Sequence, residues 1–257
     1  MLFNTQIYTD VGNTKKTNQD SMCLFEARTN KGKVLLAIVC DGMGGLEKGE
    51  VASATVINKF SNWFENTLSQ LLAEVNYVDE IRYSWERLIK EENQNIAEYG
   101  RKYGIQLGTT LTAMLFFENG DFLISHVGDT RAYKITDNSI RVLTEDQTLV
   151  EREVKLGRLN RDQIETDPRK NVLLQCIGAS RIVEPVFIEG RYEKNECYML
   201  CSDGFRHTLL QKEIWESFKP SSNYDENTMK NNLIALVELN KRREETDNIS
   251  VILIKIV

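Results

Sequence analysis

Two histidines and three prolines are all that the 257 residues contain of either type. With no Pro/Ser-rich stretch, no low-complexity tract and no repeat of roughly 20–50 residues, nothing marks a domain boundary, and residues 1–257 read as one domain. No uninterrupted apolar run approaches the roughly 18 residues that a membrane span needs. The opening MLFNTQIYTD lacks a basic segment followed by an apolar one, so no secretory signal is expected. A net charge of −6, with cations and anions mixed along the length, argues against a nucleic-acid or anionic-membrane partner. Five cysteines are an odd number, and Cys23, Cys40, Cys176 and Cys201 sit in apolar stretches without CxxC or Cys/His spacing. Buried thiols in a reducing cytoplasm fit this better than disulfides or a zinc site.

What is present is a set of apolar runs rich in β-formers, which predict strands at 6–12, 21–27, 34–40, 109–117, 121–127, 131–135, 197–202 and 249–257. ENGD at 118–121 predicts a hairpin turn, and HVGDTRAY a strand broken by a tight turn at Gly128 and Asp129. Apolar residues at three- and four-residue intervals predict helices over about 49–73, 78–103 and 226–243. The segment 145–180 is polar and weakly periodic, and reads as short helices and loops. Strands cluster with helices segregated between the clusters, which favours an α+β sandwich of antiparallel sheets over a doubly wound parallel sheet.

Aspartate recurs at the ends of these strands. VLLAIVCDGMGG ends a buried-looking run on Asp41, and CYMLCSDGF ends another on Asp203. Asp20 precedes a strand, Asp129 follows Gly128, and Asp247 precedes the last strand. Any one Asp-Gly is ordinarily a turn. Five in such places, if the sheets bring them together, would repel one another unless neutralised, and no basic cluster accompanies them. Oxygen donors without His or Cys select hard cations such as Mg²⁺ or Mn²⁺. Gly42, having no side chain, could also offer its carbonyl, and Gly44 and Gly45 would keep the loop open to a bulky anion. Two such metals ~3.5–4 Å apart can activate a water for attack on phosphorus.

In order along the chain, NQD (18–20), DGMGG (41–45), GTT (108–110), GDTRAY (128–133), SDG (202–204) and DNIS (247–250) resemble the PPM (type 2C) family of metal-dependent protein Ser/Thr phosphatases, bacterial single-domain type. The resemblance covers essentially the whole chain. It implies a four-layer α-β-β-α sandwich with two metals at one end of the sheets. Asp41 would bridge both metals and the Gly42 carbonyl would bind one. Asp203 and Asp247 would bind the other, with Asp20 acting nearby through water. Asp129 with Asp203 matches a third, weaker metal position, Asn248 a residue steadying the loop, and 145–180 a flap beside the active site. Phosphoserine and phosphothreonine on proteins would be hydrolysed by a metal-bridging water without a phosphoenzyme. The expected setting is a cytoplasmic monomer acting on the targets of a Ser/Thr kinase.

Three positions depart from the family pattern. Lys15 replaces the usual phosphate-clamping Arg, keeping the charge and losing the bidentate fork. Leu46 stands where many bacterial members carry His, and the flap begins DQT (146–148) in place of Asp-His-Ser. The remaining imidazoles are His126, expected to be packed on a strand, and His207, four residues after Asp203 and expected to cap or line a helix start. The leaving alkoxide could then take its proton from a second metal-bound water. A haloacid-dehalogenase-type reading fails because position 43 is Met where Asp-x-Asp is required. A catalytically inactive relative that binds phosphoproteins or a kinase is the alternative, separated by metal-dependent turnover.

Overall fold

The run VLLAIVC forms the middle of a sheet that is covered on both faces, which is why it shows no polar alternation. The computed structural model describes residues 3–43, 48–223 and 225–257. One antiparallel sheet has the order β2 (Ser21–Thr29), β3 (Gly32–Cys40), β4 (Leu111–Phe117), β5 (Asp121–Val127), β8 (Val186–Arg191). The other runs β1 (Phe3–Asp10), β10 (Ile249–Ile256), β9 (Cys197–Cys201), β6 (Arg131–Ile135), β7 (Ile140–Val142). The two extremities of the chain therefore pair, with Phe3 opposite Ile256 and Asp10 opposite Ile249.

Alternation along β3 sorts its side chains between two cores. Leu35, Ala37 and Val39 meet Met114, Phe116, Ile252 and Ile254 between the sheets. Val34, Leu36, Ile38 and Cys40 face outward onto α1 (Gly49–Asn66), α2 (Leu68–Leu71) and α3 (Tyr77–Tyr103) through Val56, Phe60, Leu68 and Trp85. On the opposite side Met199, Cys201, Val251 and Leu253 pack under α5 (Asp203–Arg206), α6 (Gln211–Phe218) and α7 (Glu226–Arg242). The layers are α-β-β-α, the expected α+β architecture. All five cysteines are buried free thiols.

Several local expectations need correction. The pattern over 49–73 is two helices, because Thr67 leaves the helical path at φ −116° between α1 and α2. The Gly128–Asp129 turn does not interrupt one strand: β5 and β6 lie in different sheets, and the turn carries the chain across the sandwich. Gly128 takes φ 101°, a left-handed conformation that favours glycine, and a Cβ there would meet Thr110 Cγ2 at 2.6 Å. The segment 145–180 holds α4 (Leu149–Lys155) and a 3₁₀ turn at Arg161–Thr166, in keeping with its weak periodicity. Leu46, Gly44 and Gly45 lie outside the described residues.

Phe116 joins the sheets, fully buried, with Tyr198 edge-on at 5.2 Å and Tyr192 at 5.5 Å. Phe116→Ala is expected to lower unfolding stability by about 3–5 kcal/mol. Denaturant titration checks this, and a change below about 1 kcal/mol would mean that the inter-sheet layer repacks freely.

Candidate active site

Asp41 stands where β3 runs out of its ladder, and the GTT segment anchors it there. Its N–H donates to Thr110 Oγ1 at 2.9 Å, and its carbonyl accepts from Thr110 N–H and Thr109 Oγ1, each at 2.9 Å. Gly42 donates to the Gln19 carbonyl at 3.1 Å, and a Cβ at Gly42 would collide with the carbonyl oxygens of Gln19 and Gly49. That contact places the residues before β2, including Asp20, beside Asp41. Two further glycines close the ring of loops. A Cβ at Gly204 would collide with the Asn248 carbonyl, and one at Gly12 would stand 2.5 Å from the Asp247 carbonyl. Asn248 pins the 11–20 loop: Nδ2 donates to the carbonyls of Val11 (2.9 Å) and Thr17 (3.2 Å), and Oδ1 accepts from Gln19 N–H (2.9 Å).

The five aspartates thus come within electrostatic reach of one another at one end of the sheets. Burial pushes the Asp20 carboxyl up to about 7; hydrogen bonds from Ser250 and Ser202 temper the rise, and Asp203 and Asp247 add to it. Asp129 is likewise pushed up to about 7 by burial and Asp203, against the relief supplied by Arg206. Asp41 is lifted well above the carboxylate range by burial and by Asp20, Asp203, Asp129 and Asp247. Two oxygens of the group, Asp20 Oδ2 and Asp203 Oδ1, are buried without a hydrogen-bond partner among the described residues. Uncompensated buried carboxylate oxygens are costly, and hard oxygen donors of this kind suit Mg²⁺ or Mn²⁺. The residues fit such an ion. Among the described residues no three carboxylate, imidazole or thiol side chains stand together as a preformed metal cage.

Lys15 faces the same cleft. Its Nζ is 2.9 Å from Asp247 Oδ1; burial works against its charge, but the hydrogen bond to Asp247 and the negative charges of Asp247, Asp41 and Asp203 raise its pKa. His207 adjoins the group, with Nε2 3.4 Å from Asp203 Oδ2 and Nδ1 3.9 Å from Glu245 Oε2. It follows α5 directly, at the end of that short helix and not at its start.

Three residues beside the site make contacts that the sequence reading does not anticipate, Asp146 being read only as the start of the DQT segment. Glu245 Oε1 accepts from the N–H groups of Thr246 (2.8 Å) and Asp247 (3.0 Å) and shapes the approach to β10. Asp146 is gripped by Arg131 through Nε and Nη2, each at 2.7 Å, and by Arg206 Nη2 at 3.2 Å. Arg206 Nη2 also donates to the Asp129 carbonyl at 3.3 Å, so the segment that begins at Asp146 is bound to the loop carrying Asp129. Charged residues in polar runs such as RREETDN look like solvated surface until the fold buries them.

The protein phosphatase 2C family profile matches residues 13–238. The chain is 31% identical over 249 residues to serine/threonine phosphatase stp of Listeria innocua serovar 6a, covering 96% of this chain and 93% of that one. Among solved structures it is similar to Stp1 of Staphylococcus aureus, with TM-score 0.86 and 26% identity over 100% of this chain and 96% of that one. The S. agalactiae serine/threonine phosphatase gives TM-score 0.83 and 29% identity over 100% of both chains.

His126 is a buried imidazole that ties its strand to the start of the flap. Its Nε2–H donates to the Glu145 carbonyl at 3.0 Å, and Nδ1 faces Thr112 Oγ1 at 3.0 Å. Burial above all, with Arg131 adding, lowers it from 6.5 to about 4, while Asp146 opposes the shift. Between those values the unfolded chain binds more protons than the folded one. The stabilisation from the neutral ring is therefore fully present above pH 6.5 and is lost as pH falls toward about 4. Unfolding free energies from urea titrations are expected to fall across that window by up to about 3 kcal/mol more in the wild type than in His126→Gln. Parallel pH profiles would refute the assignment.

Proposed function

This chain belongs to the protein phosphatase 2C family and is a protein serine/threonine phosphatase, and we propose that it hydrolyses phosphoserine and phosphothreonine monoesters with two divalent cations, Mn²⁺ or Mg²⁺, held by Asp20, Asp41, the Gly42 carbonyl, Asp203 and Asp247. A third, weaker cation would use Asp129 with Asp203. The observation that carries the reading is the pair of buried, unpartnered oxygens on Asp20 and Asp203 within a group of mutually repelling carboxylates. When bound, the cations would neutralise these carboxylates, polarise the phosphoryl group and acidify the attacking water.

The chain's own residues set the rest. Thr109 and Thr110 fix the backbone of Asp41 at the end of β3, which sets the point from which its carboxylate extends. Lys15 would hold a phosphoryl oxygen electrostatically as a point charge. Asn248 holds the Lys15 loop and the Asp247 loop together, so that donor and ligands keep one spacing. A cysteinyl phosphoenzyme is disfavoured because burial pushes the thiols of Cys23 and Cys201 up to about 12 and Cys40 higher than its ordinary value, the opposite of a nucleophile's environment. Residues 1–257 would form one catalytic domain with 145–180 as its flap, working in the cytoplasm as a monomer on proteins phosphorylated by a Ser/Thr kinase.

Calorimetry is expected to record two equivalents of Mn²⁺, and p-nitrophenyl phosphate turnover should appear with Mn²⁺ and vanish with EDTA. Asp203→Ala should lose at least about a hundredfold in kcat, by analogy with loss of a charge-stabilising group at other active sites. Undiminished turnover in EDTA, or in Asp203→Ala, would sink the proposal.

Lys15→Ala should raise KM for a phosphothreonine peptide roughly tenfold with a smaller change in kcat, while Lys15→Arg lowers KM by restoring the fork. Steady-state kinetics decide it: an unchanged KM in both variants removes Lys15 from the substrate's path.

A further inference from the structure

Asn93 interrupts the apolar stripe of α3. Ile81, Trp85, Ile89 and Ile96 follow the buried side of that helix, and Asn93 lies among them with 5% of its surface exposed. A carboxamide in such a place is costly unless its donor and its acceptor are both engaged. Both are. Its Oδ1 accepts from Gly178 N–H at 2.8 Å, and its Nδ2 donates to the Ser180 carbonyl at 3.0 Å. The loop it grips is closed on itself, Cys176 N–H donating to Ser180 Oγ at 2.8 Å, so it is held as a unit. A Cβ at Gly178 would stand 2.3 Å from Ile96 Cγ2, which shows how closely the loop is pressed against the helix one turn beyond Asn93.

That loop is the outer member of a narrow strip of three backbone segments. Ile177 and Thr109 exchange both of their backbone hydrogen bonds, each at 2.9 Å. Thr109 in turn lies opposite Gly42, and Met43 N–H donates to the Gly108 carbonyl at 3.0 Å. Segments 41–43, 108–110 and 176–178 are thus bonded side by side, with Asp41 and Gly42 on the inner side and Asn93 closing the outer one. The bridges between them stand outside the ladders of the two sheets. Segments with few ladder bonds open locally, so the alignment of this strip depends on what holds its outer edge.

We propose that Asn93 is a positioning residue for the cation site. Through 176–180 and Thr109 it fixes the place of Asp41 and of the Gly42 carbonyl, while touching neither substrate nor metal itself. The inference rests on the proposed assignment of Asp41 and Gly42 as cation ligands; the bonded strip does not depend on it.

Amide hydrogen exchange of the metal-free protein tests the linkage, and calorimetric titration with Mn²⁺ tests its consequence. In Asn93→Ala the amides of Ile177, Thr109 and Met43 should exchange at least about fivefold faster than in the wild type, beyond any change in β10, whose amides report global opening. The Kd for Mn²⁺ should rise at least about fivefold, somewhat less than the roughly tenfold to hundredfold that follows loss of a ligand's immediate hydrogen-bond partner. KM for a phosphothreonine peptide at saturating Mn²⁺ should stay within about twofold. Asn93→Asp keeps the shape and the acceptor for Gly178 but loses the donor to Ser180, and should fall between; it also covers the case in which Asn93→Ala does not fold. Leu236→Ala truncates the core under α7 in the opposite helical layer and controls for lost stability alone. It should speed exchange in β10 with no excess in the strip and no change in Mn²⁺ Kd. Absence of excess exchange in both Asn93 variants overturns the linkage. Excess exchange with an unchanged Mn²⁺ Kd, or a rise in Kd that Leu236→Ala reproduces, overturns the positioning role. A wild type that takes up no Mn²⁺ would overturn the proposed function instead, and the exchange result would still decide the linkage.

Discussion

Mutual repulsion among buried carboxylates is the constraint around which this molecule is organised. Asp20, Asp41 and Asp129 each have their charged form disfavoured, first by loss of water and then by one another or by Asp203. No hydrophobic gain at these positions offsets that cost, because the groups contribute oxygens and little apolar area. The arrangement persists because the sandwich is stabilised elsewhere, by three apolar layers that do not depend on the cleft. The stable part of the fold thus holds together a set of charges that would separate if left to themselves, and a divalent cation is the natural completion of such a set.

Close backbone approach is the means by which separated positions reach one place. Gly12, Gly42 and Gly204 each lie where a side chain would strike a carbonyl of a neighbouring loop, so three of the loops bearing aspartates can touch only through glycine. The pairing of β1 with β10 brings the first strand and the last together, and with them Lys15 and Asp247. In this fold the two extremities of the chain build one side of the cleft, while Asp41 and Asp203 come from the ends of central strands.

Which features were legible in the sequence follows from the physics of each. Strands buried on both faces, such as β3 and β4, announce themselves as continuous apolar runs, and long helices announce themselves by a single apolar stripe. The three-residue β7 and the edge strand β8 have neither, since pairing and not burial defines them. The eight-residue α6 is too short for its period to stand out. The aspartates were visible because a charge at the end of an apolar run is unusual. Arg206 and Glu245 were not, and Asp146 was read only as the start of DQT, because their burial is created by elements distant in sequence. An orphaned oxygen on Asp20 cannot be read from a string of letters at all.

The departure DQT illustrates how a residue that looks like a lost function can carry a mechanical one. Gln147 Oε1 accepts from Gly128 N–H and from Gln175 Nε2, each at 2.8 Å. Its backbone N–H donates to the Gly128 carbonyl at 2.8 Å, and its carbonyl accepts from Leu174 N–H at 2.7 Å. One residue therefore bonds the entering and returning strands of the flap to the turn that presents Asp129. Next to it Arg131 holds the Asp146 carboxyl below its ordinary range despite burial, with help from Arg206. The segment around 146–147 is in this way continuous with the turn that carries Asp129, while exposed Arg158 and Arg161 lie farther along. A shift of the flap that disturbed Gln147 or Asp146 would be transmitted to Asp129 through hydrogen bonds and not through the sheets. The position of the 145–180 segment and the charge balance around Asp129 are consequently two aspects of one bonded unit.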